Sequence, residues 1–542
     1  MNQAAATSTT EAEPTAAPAA APATAPAAPR RGREGREGRG GSAAPAARVV
    51  RPGMASGKYK PLSDEDIRRI HDTALDVLEN IGMGDSNHEK LLHYALPKGC
   101  KLENGRLKFP RALIEDMLAV NATSSVAYGI DPKYDLELKP NRVHYGTSGE
   151  AVTILDYETQ HYRPSTLVDL YDAARLVDQL EHIHMFGQPF IASEHSDNSF
   201  THDMNTAYAA ISGTRKSISL GVAEVKNIDP LIKLFDTFVG EDGGFLKRPF
   251  CAFGGCPVIS PLRWGYDNLD VMIRMAELGL TADIAIAAQA GATAPAALAG
   301  ALVQTFAETL ACLAVVNMIK PGSTIHFGMW PFISDLRTGS FTGGSGEEAL
   351  ITACTTQMCN YYNLIASVPS GMTDSKTVDA QYGSEKAMTT LAASLAGATF
   401  ISPYPGMVGS LLGQSFEGMV VDNDMLGSIL RVVRGVEVND TTLSYGVIHD
   451  TVFGAGHFLG NPQTLGLMKT EYIYPQVADR RTAGAWEEGG KESVYELARV
   501  KVKQMLGTHY PTYVEPTTDA KLRATFPITL KPADMKAGNG RW

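Results

Sequence analysis

The chain has 542 residues, and its 48 lysines and arginines against 59 aspartates and glutamates give a net charge of −11. This acidic balance argues against a sequence-independent nucleic-acid binder, which needs a basic surface to replace phosphate counterions. The most apolar window, residues 296–319, is interrupted by Gln304 and Glu308, so we predict a buried or amphipathic helix there rather than a membrane span. Six cysteines in so long a chain do not form a disulfide framework, which favours a reducing, cytoplasmic location.

The first 55 residues differ in composition from the rest of the chain. They are rich in alanine and proline and carry a run of arginines between Arg30 and Arg39. Such a segment has too little apolar surface to offset the entropy cost of ordering, so we predict a disordered tail over residues 1–55. An N-terminal α/β segment is predicted over 56–182, with one helix capped by Ser63 and another that begins at Ser165.

From residue 183 short apolar runs alternate with long helical patterns. Seven runs predict strands, at residues 183–187, 217–221, 249–254, 283–287, 324–328, 364–368 and 398–402. Strands that are apolar almost throughout and separated by helices indicate parallel βα units. The span 183–440 therefore suits an α/β fold with a (β/α)8 TIM barrel, although the pattern leaves the eighth strand unassigned. An open doubly wound sheet is the alternative, but no G-x-G-x-x-G motif stands at a strand-to-helix turn to support it.

Helical additions are predicted on both sides of this barrel. The N-terminal one belongs to the segment 56–182, and a C-terminal helical cap covers 441–515 with its main helix at about 491–506. Residues 516–542 are predicted to be an irregular tail.

The loops after the carboxyl ends of barrel strands carry the chemistry of this fold. In this chain those loops, such as 328–332 and 370–374, are rich in glycine, aromatic residues and methionine and poor in matched acid–base pairs. An aromatic pocket with one or two carboxylates suits a quaternary ammonium ion, which cannot donate hydrogen bonds and is held by ring faces. For any single aromatic residue, such as Phe327 or Trp330, core packing is the alternative explanation.

Other candidate sites are weaker. His182 and His184 have the spacing of metal ligands on a strand, but no C-x-x-C or H-x-C signature accompanies them, so we predict no bound metal. Glu347 and Glu348 open a helix, where carboxylates are favoured electrostatically, and we interpret them as capping residues.

Long motifs in six separate parts of the chain match one known family. They are SPL at 260–262, AGATAPAALAG at 290–300, FAETL at 306–310, DLRTG at 335–339, TDSK at 373–376 with Asp379, Gln381 and Glu385, and DRRTAGAW at 479–486. On these motifs the chain resembles the trimethylamine methyltransferase superfamily, from about residue 60 to about residue 506. The resemblance implies a TIM barrel that moves a methyl group from an amine to the cobalt of a separate corrinoid protein. It also implies, by analogy with the family, a homo-oligomer without nucleic-acid or membrane partners.

The resemblance also bears on the substrate. The archaeal trimethylamine enzymes carry pyrrolysine at the barrel mouth, whereas this chain has only ordinary residues, with Met372 in the equivalent region. Members without pyrrolysine include enzymes that demethylate glycine betaine and other quaternary amines, and the chain resembles those. A quaternary ammonium needs no further activation, because the departing group is a neutral tertiary amine. We therefore predict transfer from glycine betaine to Co(I) of a protein-bound cobalamin, releasing dimethylglycine.

The residues expected to perform this reaction fall into three groups. The expected substrate-binding residues are Phe186, Phe327, Trp330 and Tyr404 as cation–π walls. For a substrate carboxylate the possible donors are Gln188, Arg337 and backbone N–H groups. The expected catalytic residues are Met372, which fills the pyrrolysine space, and Asp374, which either balances the cationic nitrogen or anchors its loop. The glycines expected to let a corrin ring approach are Gly254, Gly255, Gly371 and Gly406.

Several alternatives stay open at this point. Trimethylamine, carnitine, γ-butyrobetaine and proline betaine are other substrates for the same class of enzyme. A betaine-binding protein without catalytic activity would keep the aromatic pocket alone.

Overall fold

The computed structural model describes residues 48–402 and 404–542. Almost all of the predicted disordered tail therefore lies outside the described residues. Strand Met54–Ala55, near the start of the described chain, pairs antiparallel with strand Arg142–Tyr145.

Eight parallel strands form the centre of the described chain. They are β1 (Arg142–Tyr145), β2 (Met185–Gly187), β3 (Ser217–Gly221), β4 (Cys251–Gly255), β5 (Ala282–Ile286), β6 (Ile325–Met329), β7 (Ala366–Pro369) and β8 (Phe400–Ser402). Neighbouring strands pair in the order β1-β8-β7-β6-β5-β4-β3-β2. The ends of this order also meet, because Gly146 and Met185 form a parallel bridge and the His184 N–H donates to the Tyr145 carbonyl at 2.7 Å. The result is a strongly curled parallel sheet.

A helix follows each of these strands. The helices are α1 (Leu167–Gln179), α2 (Ser199–Gly213), α3 (Ile228–Val239), α4 (Tyr266–Leu278), α5 (Leu298–Ile319), α6 (Gly346–Tyr361), α7 (Ala380–Ala396) and α8 (Phe416–Arg434). Local sequence fixes their ends. In α7, for example, the Asp379 carboxylate accepts the Tyr382 N–H at the start, and Gly397 ends the helix in the left-handed region at φ +87°.

The seven strands predicted from the sequence are confirmed, and the eighth comes from an unexpected place. It is β1, which lies ahead of residue 183, in the segment 56–182. Its four residues include Arg142 and His144, which do not read as a buried apolar run, although the His144 ring is buried against the Thr399 carbonyl. The strands pair in the order in which they occur along the chain, without the reversal of order that a doubly wound sheet has. The alternative of an open doubly wound sheet is therefore wrong.

Helix α5 accounts for the most apolar part of the sequence. Among the described residues it is the helix that is long and apolar enough to span a membrane, and most of it is buried inside the protein. Two N-terminal helices, Asp64–Asp76 and Arg111–Val120, pack on its outer side. Because α5 lies between those helices and the sheet, it is apolar all round, as a fully buried helix should be. The prediction of a buried helix at 296–319 is confirmed.

Short strands and further helices surround the sheet. The minor strands are Lys101–Glu103, Arg106–Lys108, Ser125–Ala127, Leu136–Leu138, Thr153–Leu155, Tyr162–Pro164, Val258–Ile259, Arg263–Trp264, Gln289–Ala290, Phe332–Ser334, Phe341–Thr342, Met407–Val408 and Gly413–Gln414. The other α-helices are Glu89–Ala95, Gly244–Lys247, Tyr445–Val452, Pro462–Leu467, Ala483–Glu488, Val494–Thr508 and Pro516–Thr525. The predicted irregular tail at 516–542 is therefore wrong in part, because Pro516 supplies a helix start that the sequence analysis missed.

The residues after this last helix return to α1. Arg541 forms ion pairs with Asp169 and Asp172, two carboxylates of α1 that are almost fully buried. The indole N–H of Trp542 donates to Asp172 at 2.8 Å. Asp169 also binds Arg163, and Asp172 binds Arg175, so the two carboxylates share three guanidinium groups.

We expect Arg541→Ala to lower the free energy of unfolding by about 2 kcal/mol, because it removes one partner from two buried charges while others remain. Urea denaturation monitored by circular dichroism measures the change. The matched control is Arg337→Ala, which breaks an exposed ion pair with Asp335 and should change the stability by less than about 0.5 kcal/mol. Equal effects of the two substitutions would contradict the expectation.

Candidate active site

A cavity of about 280 Å³ lies at the carboxyl ends of the parallel strands. All eight strands, or the loops directly after them, contribute to its walls through Glu150, Gly187, Gln188, Ser219, Gly221, Gly254, Gly255, Asp283, Trp330, Ser367, Ser402 and Tyr404. This is the end at which α/β barrels and open parallel sheets hold their ligands. The cavity is thus the candidate active site.

Four aromatic side chains form one part of the wall: Trp330, Phe332, Phe400 and Tyr404. The rings of Trp330 and Tyr404 stand nearly perpendicular, at 76° with their centroids 6.1 Å apart. Tyr404 is fully buried and packs with Phe332 in a small apolar cluster that also holds Met372. Ring faces at right angles form a corner that can hold a cation.

Carboxylates form another part of the same wall. Asp283, on β5, accepts a hydrogen bond from the Ser219 hydroxyl at 2.8 Å. Glu150, in the loop after β1, lies so close to Gly221 that a Cβ atom at that position would stand 2.1 Å from its carboxylate oxygen. Desolvation by the surrounding protein, together with the charge of Asp203, raises the pKa of Glu150. The cavity therefore combines ring faces with two acidic groups.

Asp203, on α2, is the charged neighbour of Glu150. One carboxylate oxygen accepts hydrogen bonds from Ala223 N–H and the Asn227 amide, at 3.3 and 2.8 Å. The other oxygen has no hydrogen-bond partner among the described residues. Burial raises the pKa of Asp203 to about 6.

We expect Asp203→Asn to raise the free energy of unfolding by about 2 kcal/mol at pH 8 and to leave it nearly unchanged at pH 4. Because its pKa is raised, the Asp203 carboxyl group binds its proton more tightly in the folded protein than in the unfolded chain. The cost of the buried carboxylate is therefore absent below pH 4, grows as the pH rises to 6, and is complete above that. Thermal unfolding of both proteins at the two pH values measures it, and the same shift at both would contradict the titration.

Cys256 also lines the cavity. Part of Cys256 is exposed, but desolvation of its thiol by the cavity wall, followed by the charges of Glu150 and Asp283, raises the pKa of the thiol to about 11. The thiol is consequently neutral near pH 7, so it is a poor nucleophile and a poor ligand for a soft metal ion.

Several polar atoms around the cavity have no hydrogen-bond partner within the described chain. They are the Trp330 indole N–H, the hydroxyls of Ser402 and Tyr404, and the Gln188 carbonyl oxygen. Three of these four groups can donate a hydrogen bond, and a buried donor left unpaired costs about 1–3 kcal/mol. Such groups fit a ligand that brings an acceptor, such as a carboxylate, into the cavity.

The structure brings five of the predicted site residues to this cavity: Gln188, Trp330, Tyr404, Gly254 and Gly255. Gly254 has a structural reason to be glycine, because a Cβ atom there would stand 2.7 Å from the Asp283 carbonyl of the next strand. The side-chain-free backbone at the end of β4 therefore borders the cavity directly.

Phe186 and Phe327, expected as cation–π walls, are not among the lining residues. Both are buried in the main apolar core. Phe327 stands beside Ile284 in the sheet, whereas Asp283 and Ala285, the neighbours of Ile284, line the cavity. Because successive side chains of a strand point to opposite faces, Phe327 faces the helices. Phe186, beside Ile218, is turned outward for the same reason, and the expected wall role is wrong for both.

Of the two roles expected for Asp374, its contacts fit that of a loop anchor. Its carboxylate accepts hydrogen bonds from the Thr342 hydroxyl at 2.5 Å, the Gly343 N–H at 3.0 Å and the Ser410 hydroxyl at 2.6 Å. It therefore ties its own loop to the loops after β6 and β8, and it does not line the cavity. The carboxylates that can face a cation are Glu150 and Asp283.

Met372 and two of the predicted glycines also lie outside the lining. Met372 is fully buried in the apolar cluster with Tyr404 and Phe332, so it supports the aromatic wall from outside the cavity. Gly371 and Gly406 adopt left-handed turns, at φ +62° and +80°, and donate their N–H groups to Thr389 and Asp422. Their backbone conformation, rather than an approaching ring, accounts for glycine at both positions.

Glu348 was expected to cap a helix, and the structure gives it another environment. Ser345 caps α6 by accepting the Glu348 N–H, while the Glu348 side chain is fully buried. One of its oxygens accepts from Thr352 and the other has no partner in the described chain. Burial first, and then the Asp374 charge, raises the pKa of Glu348 well above its ordinary value.

Comparison with known proteins shows which family the chain resembles. The family model described as trimethylamine methyltransferase (MTTB) matches residues 29–530. Similar proteins include a glycine betaine methyltransferase from Desulfitobacterium hafniense (strain Y51), 27% identical over 87% of this chain and 97% of its own. A trimethylamine methyltransferase MttB from D. hafniense (strain DSM 10664 / DCB-2) is 28% identical over 91% of this chain and 97% of its own. A dihydropteroate synthase from Stenotrophomonas maltophilia overlaps 56% of this chain and 97% of its own, with 10% identity and a TM-score of 0.34.

The chain therefore belongs to the trimethylamine methyltransferase family, because the family model covers nearly all of it. It is accordingly an enzyme of the methyltransferase class. The family resemblance expected from the sequence motifs is confirmed.

Proposed function

We propose that this enzyme transfers a methyl group from glycine betaine to the Co(I) of a corrinoid carried by a partner protein and releases dimethylglycine. The observation that carries the proposal is a cavity whose wall joins four aromatic rings to two carboxylates. Ring faces and carboxylates both attract a quaternary ammonium ion. Its nitrogen carries no hydrogen, so it cannot donate a hydrogen bond to the protein. We place the reaction in the cytoplasm and the eight strands in a closed (β/α)8 barrel, supported by the bridge between β1 and β2.

The unpaired donors around the cavity favour a zwitterion over a simple amine. Trp330, Ser402 and Tyr404 can each donate to an acceptor on the substrate. Glycine betaine carries a carboxylate one carbon away from its cationic nitrogen, so its two ends differ in charge over a very short distance. A cavity of about 280 Å³ limits the length of any such substrate. Trimethylamine would leave all of these donors without an acceptor.

The residues of this chain contribute binding and orientation. The carbon–nitrogen bond breaks with its electron pair staying on nitrogen, so no general acid is needed to make the amine leave. Asp283 and Glu150 hold the cation, and this attraction weakens as the nitrogen loses its charge, which favours release of the product. The rate gain comes from fixing one N–CH₃ bond toward the cavity mouth, and orientation of this kind can be worth about 7–11 kcal/mol.

The methyl acceptor must reach the substrate from outside. The corrinoid supplies the Co(I) nucleophile when its carrier protein is bound, but a cavity of about 280 Å³ has no room for a corrin macrocycle. The backbone of Gly254 and Gly255 at the cavity wall carries no side chain that would obstruct a close approach. The chain's residues thus fit an acceptor that stays at the mouth.

We expect the purified protein to form methyl-Co(III) from Co(I) cobalamin with glycine betaine, and at least about 100-fold more slowly with trimethylamine, because only betaine satisfies the donors of the cavity. Carnitine, γ-butyrobetaine and proline betaine complete the panel, and the absorbance of methylcobalamin is the readout. Binding of betaine without methylation by any amine would favour a binding protein. Methylation by trimethylamine alone would overturn the substrate assignment.

A further inference from the structure

The loop after β8 contains a hairpin whose tip borders the cavity. Its two strands, Met407–Val408 and Gly413–Gln414, pair antiparallel. At the tip, Leu411 lines the cavity and packs against the small apolar cluster that holds Tyr404. The next side chain, Leu412, is 62% exposed and does not line the cavity. One leucine of this pair therefore belongs to the cavity wall, and its neighbour does not.

The backbone of the tip is unfavourable for the residues that it holds. The Leu412 N–H donates to the Gly409 carbonyl at 3.3 Å, which closes a turn with Ser410 and Leu411 at its centre. Both central residues have positive φ, at +57° and +72°. Turns of this kind favour glycine and asparagine, because in the left-handed region a Cβ atom crowds the following carbonyl oxygen. The chain thus keeps two side chains at positions where glycine would fit better.

Each of these two side chains has a use. The Ser410 hydroxyl donates to the Asp374 carboxylate at 2.6 Å and so joins the tip to the loop after β7. Leu411 has no polar group and is only partly buried, so neither a hydrogen bond nor a place in the core explains it. The use that remains is its position in the cavity wall. Backbone strain of this kind clusters at functional sites, where a side chain must be held in a particular place.

Contacts on both sides hold the tip in position. On one side the Gly409 N–H donates to the Ser375 carbonyl at 2.7 Å. On the other side the Thr153 N–H donates to the Leu412 carbonyl at 3.2 Å, where the hairpin pairs with the minor strand that follows β1. Because the turn is bound to two other loops, it cannot easily retreat from a bulky ligand. Leu411 is accordingly a fixed part of the wall.

We propose that Leu411 limits the size of the groups that the substrate carries on its nitrogen, and so restricts the enzyme to N-methyl amines. The inference rests on the proposed function, because it concerns the amine that the cavity holds. Leu411 and Trp330 pack against the same apolar cluster and both line the cavity, so Leu411 stands on the aromatic side, where the cation binds. A longer alkyl group on the nitrogen meets the leucine side chain. One extra methylene in an apolar pocket can change kcat/KM by about 10- to 200-fold.

The test compares two substrates that differ by one methylene: glycine betaine, and its analogue with an ethyl group in place of one N-methyl group. Both keep a methyl group that can be transferred. We expect the natural protein to prefer betaine by at least about 30-fold in kcat/KM for methyl-Co(III) formation. We expect Leu411→Ala to lower this preference to about threefold or less, through faster transfer from the ethyl analogue. Alanine removes the wall but keeps the Cβ atom that the turn already accommodates.

Two variants control for indirect effects, and thermal unfolding checks that each variant is folded. Leu412→Ala makes the same substitution at the exposed neighbour and should keep the natural preference. Leu411→Met nearly conserves the volume of the side chain and should keep the preference too. A natural protein that accepts both substrates equally would overturn the proposal, as would a Leu411→Ala variant that keeps the natural preference. Loss of the preference in either control would overturn it equally.

The same comparison separates this proposal from the proposed substrate. If the natural protein demethylates trimethylamine and not betaine, the variants are compared with trimethylamine and ethyldimethylamine. The substrate assignment then fails, while the size limit stands or falls with the preference between these two amines. A natural protein that takes a methyl group from none of these compounds would overturn both.

Discussion

Replacing Trp330 with alanine should lower kcat/KM for glycine betaine by about 3,000-fold. A desolvated cation–π contact is worth about 2 kcal/mol, which accounts for about 30-fold in binding. Trp330 also forms the perpendicular corner with Tyr404, and loss of the corner lets the ammonium shift, which can cost a further ~100-fold in rate. Steady-state kinetics of methyl-Co(III) formation and calorimetric binding of betaine separate the two contributions.

Two further variants make this expectation specific. Trp330→Phe keeps a ring but removes the indole N–H, so it should recover most of the affinity for the cation and lose the hydrogen bond to the carboxylate. Tyr361→Ala removes an exposed aromatic side chain at the far end of α6, outside the cavity lining, and should leave the kinetics unchanged. If Trp330→Ala keeps its affinity for betaine, the aromatic corner does not bind the substrate.

The double substitution Glu150→Gln and Asp283→Asn should weaken betaine binding by at least about 100-fold. Each variant side chain keeps its shape but loses the charge that faces the cation, and interactions with a charged group are worth about 1.5–3 kcal/mol each. The pKa of Glu150 is raised, so in the natural protein the affinity should also fall as the pH drops through that value. Isothermal titration calorimetry of betaine at several pH values measures both effects.

A neutral isostere supplies the matched control for charge. 3,3-Dimethylbutanoate has the shape of glycine betaine with carbon in place of nitrogen, so it lacks the positive charge. Its affinity should rise or stay constant in the double variant, because the removed carboxylates only repel its anionic end. Equal losses for betaine and for the isostere would show that the substitutions act through packing, and would remove Glu150 and Asp283 from the cation site.

The sequence predicted most of the scaffold and part of the site. Strands β2 to β8 are buried on both faces, so their apolar runs stand out in the sequence. Strand β1 does not, because Arg142 and His144 make it look polar. Because β1 was not predicted, Glu150 was not predicted as a site residue either. A loop residue can be placed at the mouth of the cavity only when the strand before it has been assigned.

Side-chain direction limited the prediction of the wall. An apolar run shows that a strand is buried, but with both faces buried it does not show which residues point inward. Phe327 and Asp283 illustrate this, because the aromatic residue that seemed suited to the pocket faces the helices and the unremarked aspartate faces the cavity. Trp330 and Tyr404 line the cavity because they follow their strands, where the loop itself borders the mouth.

The three hydrogen bonds accepted by Asp374 have a consequence for movement around the cavity. They join the connections after β6, β7 and β8 into one unit. Strand pairing adds the connections after β5 and β1 to this unit, and the Gln414 amide donates to the Pro189 carbonyl after β2. Widening of the mouth then falls to the connections after β3 and β4, where Gly254 and Gly255 lie. The amine enters, and the methyl acceptor approaches, through the same opening, so the amine must bind before the acceptor covers it.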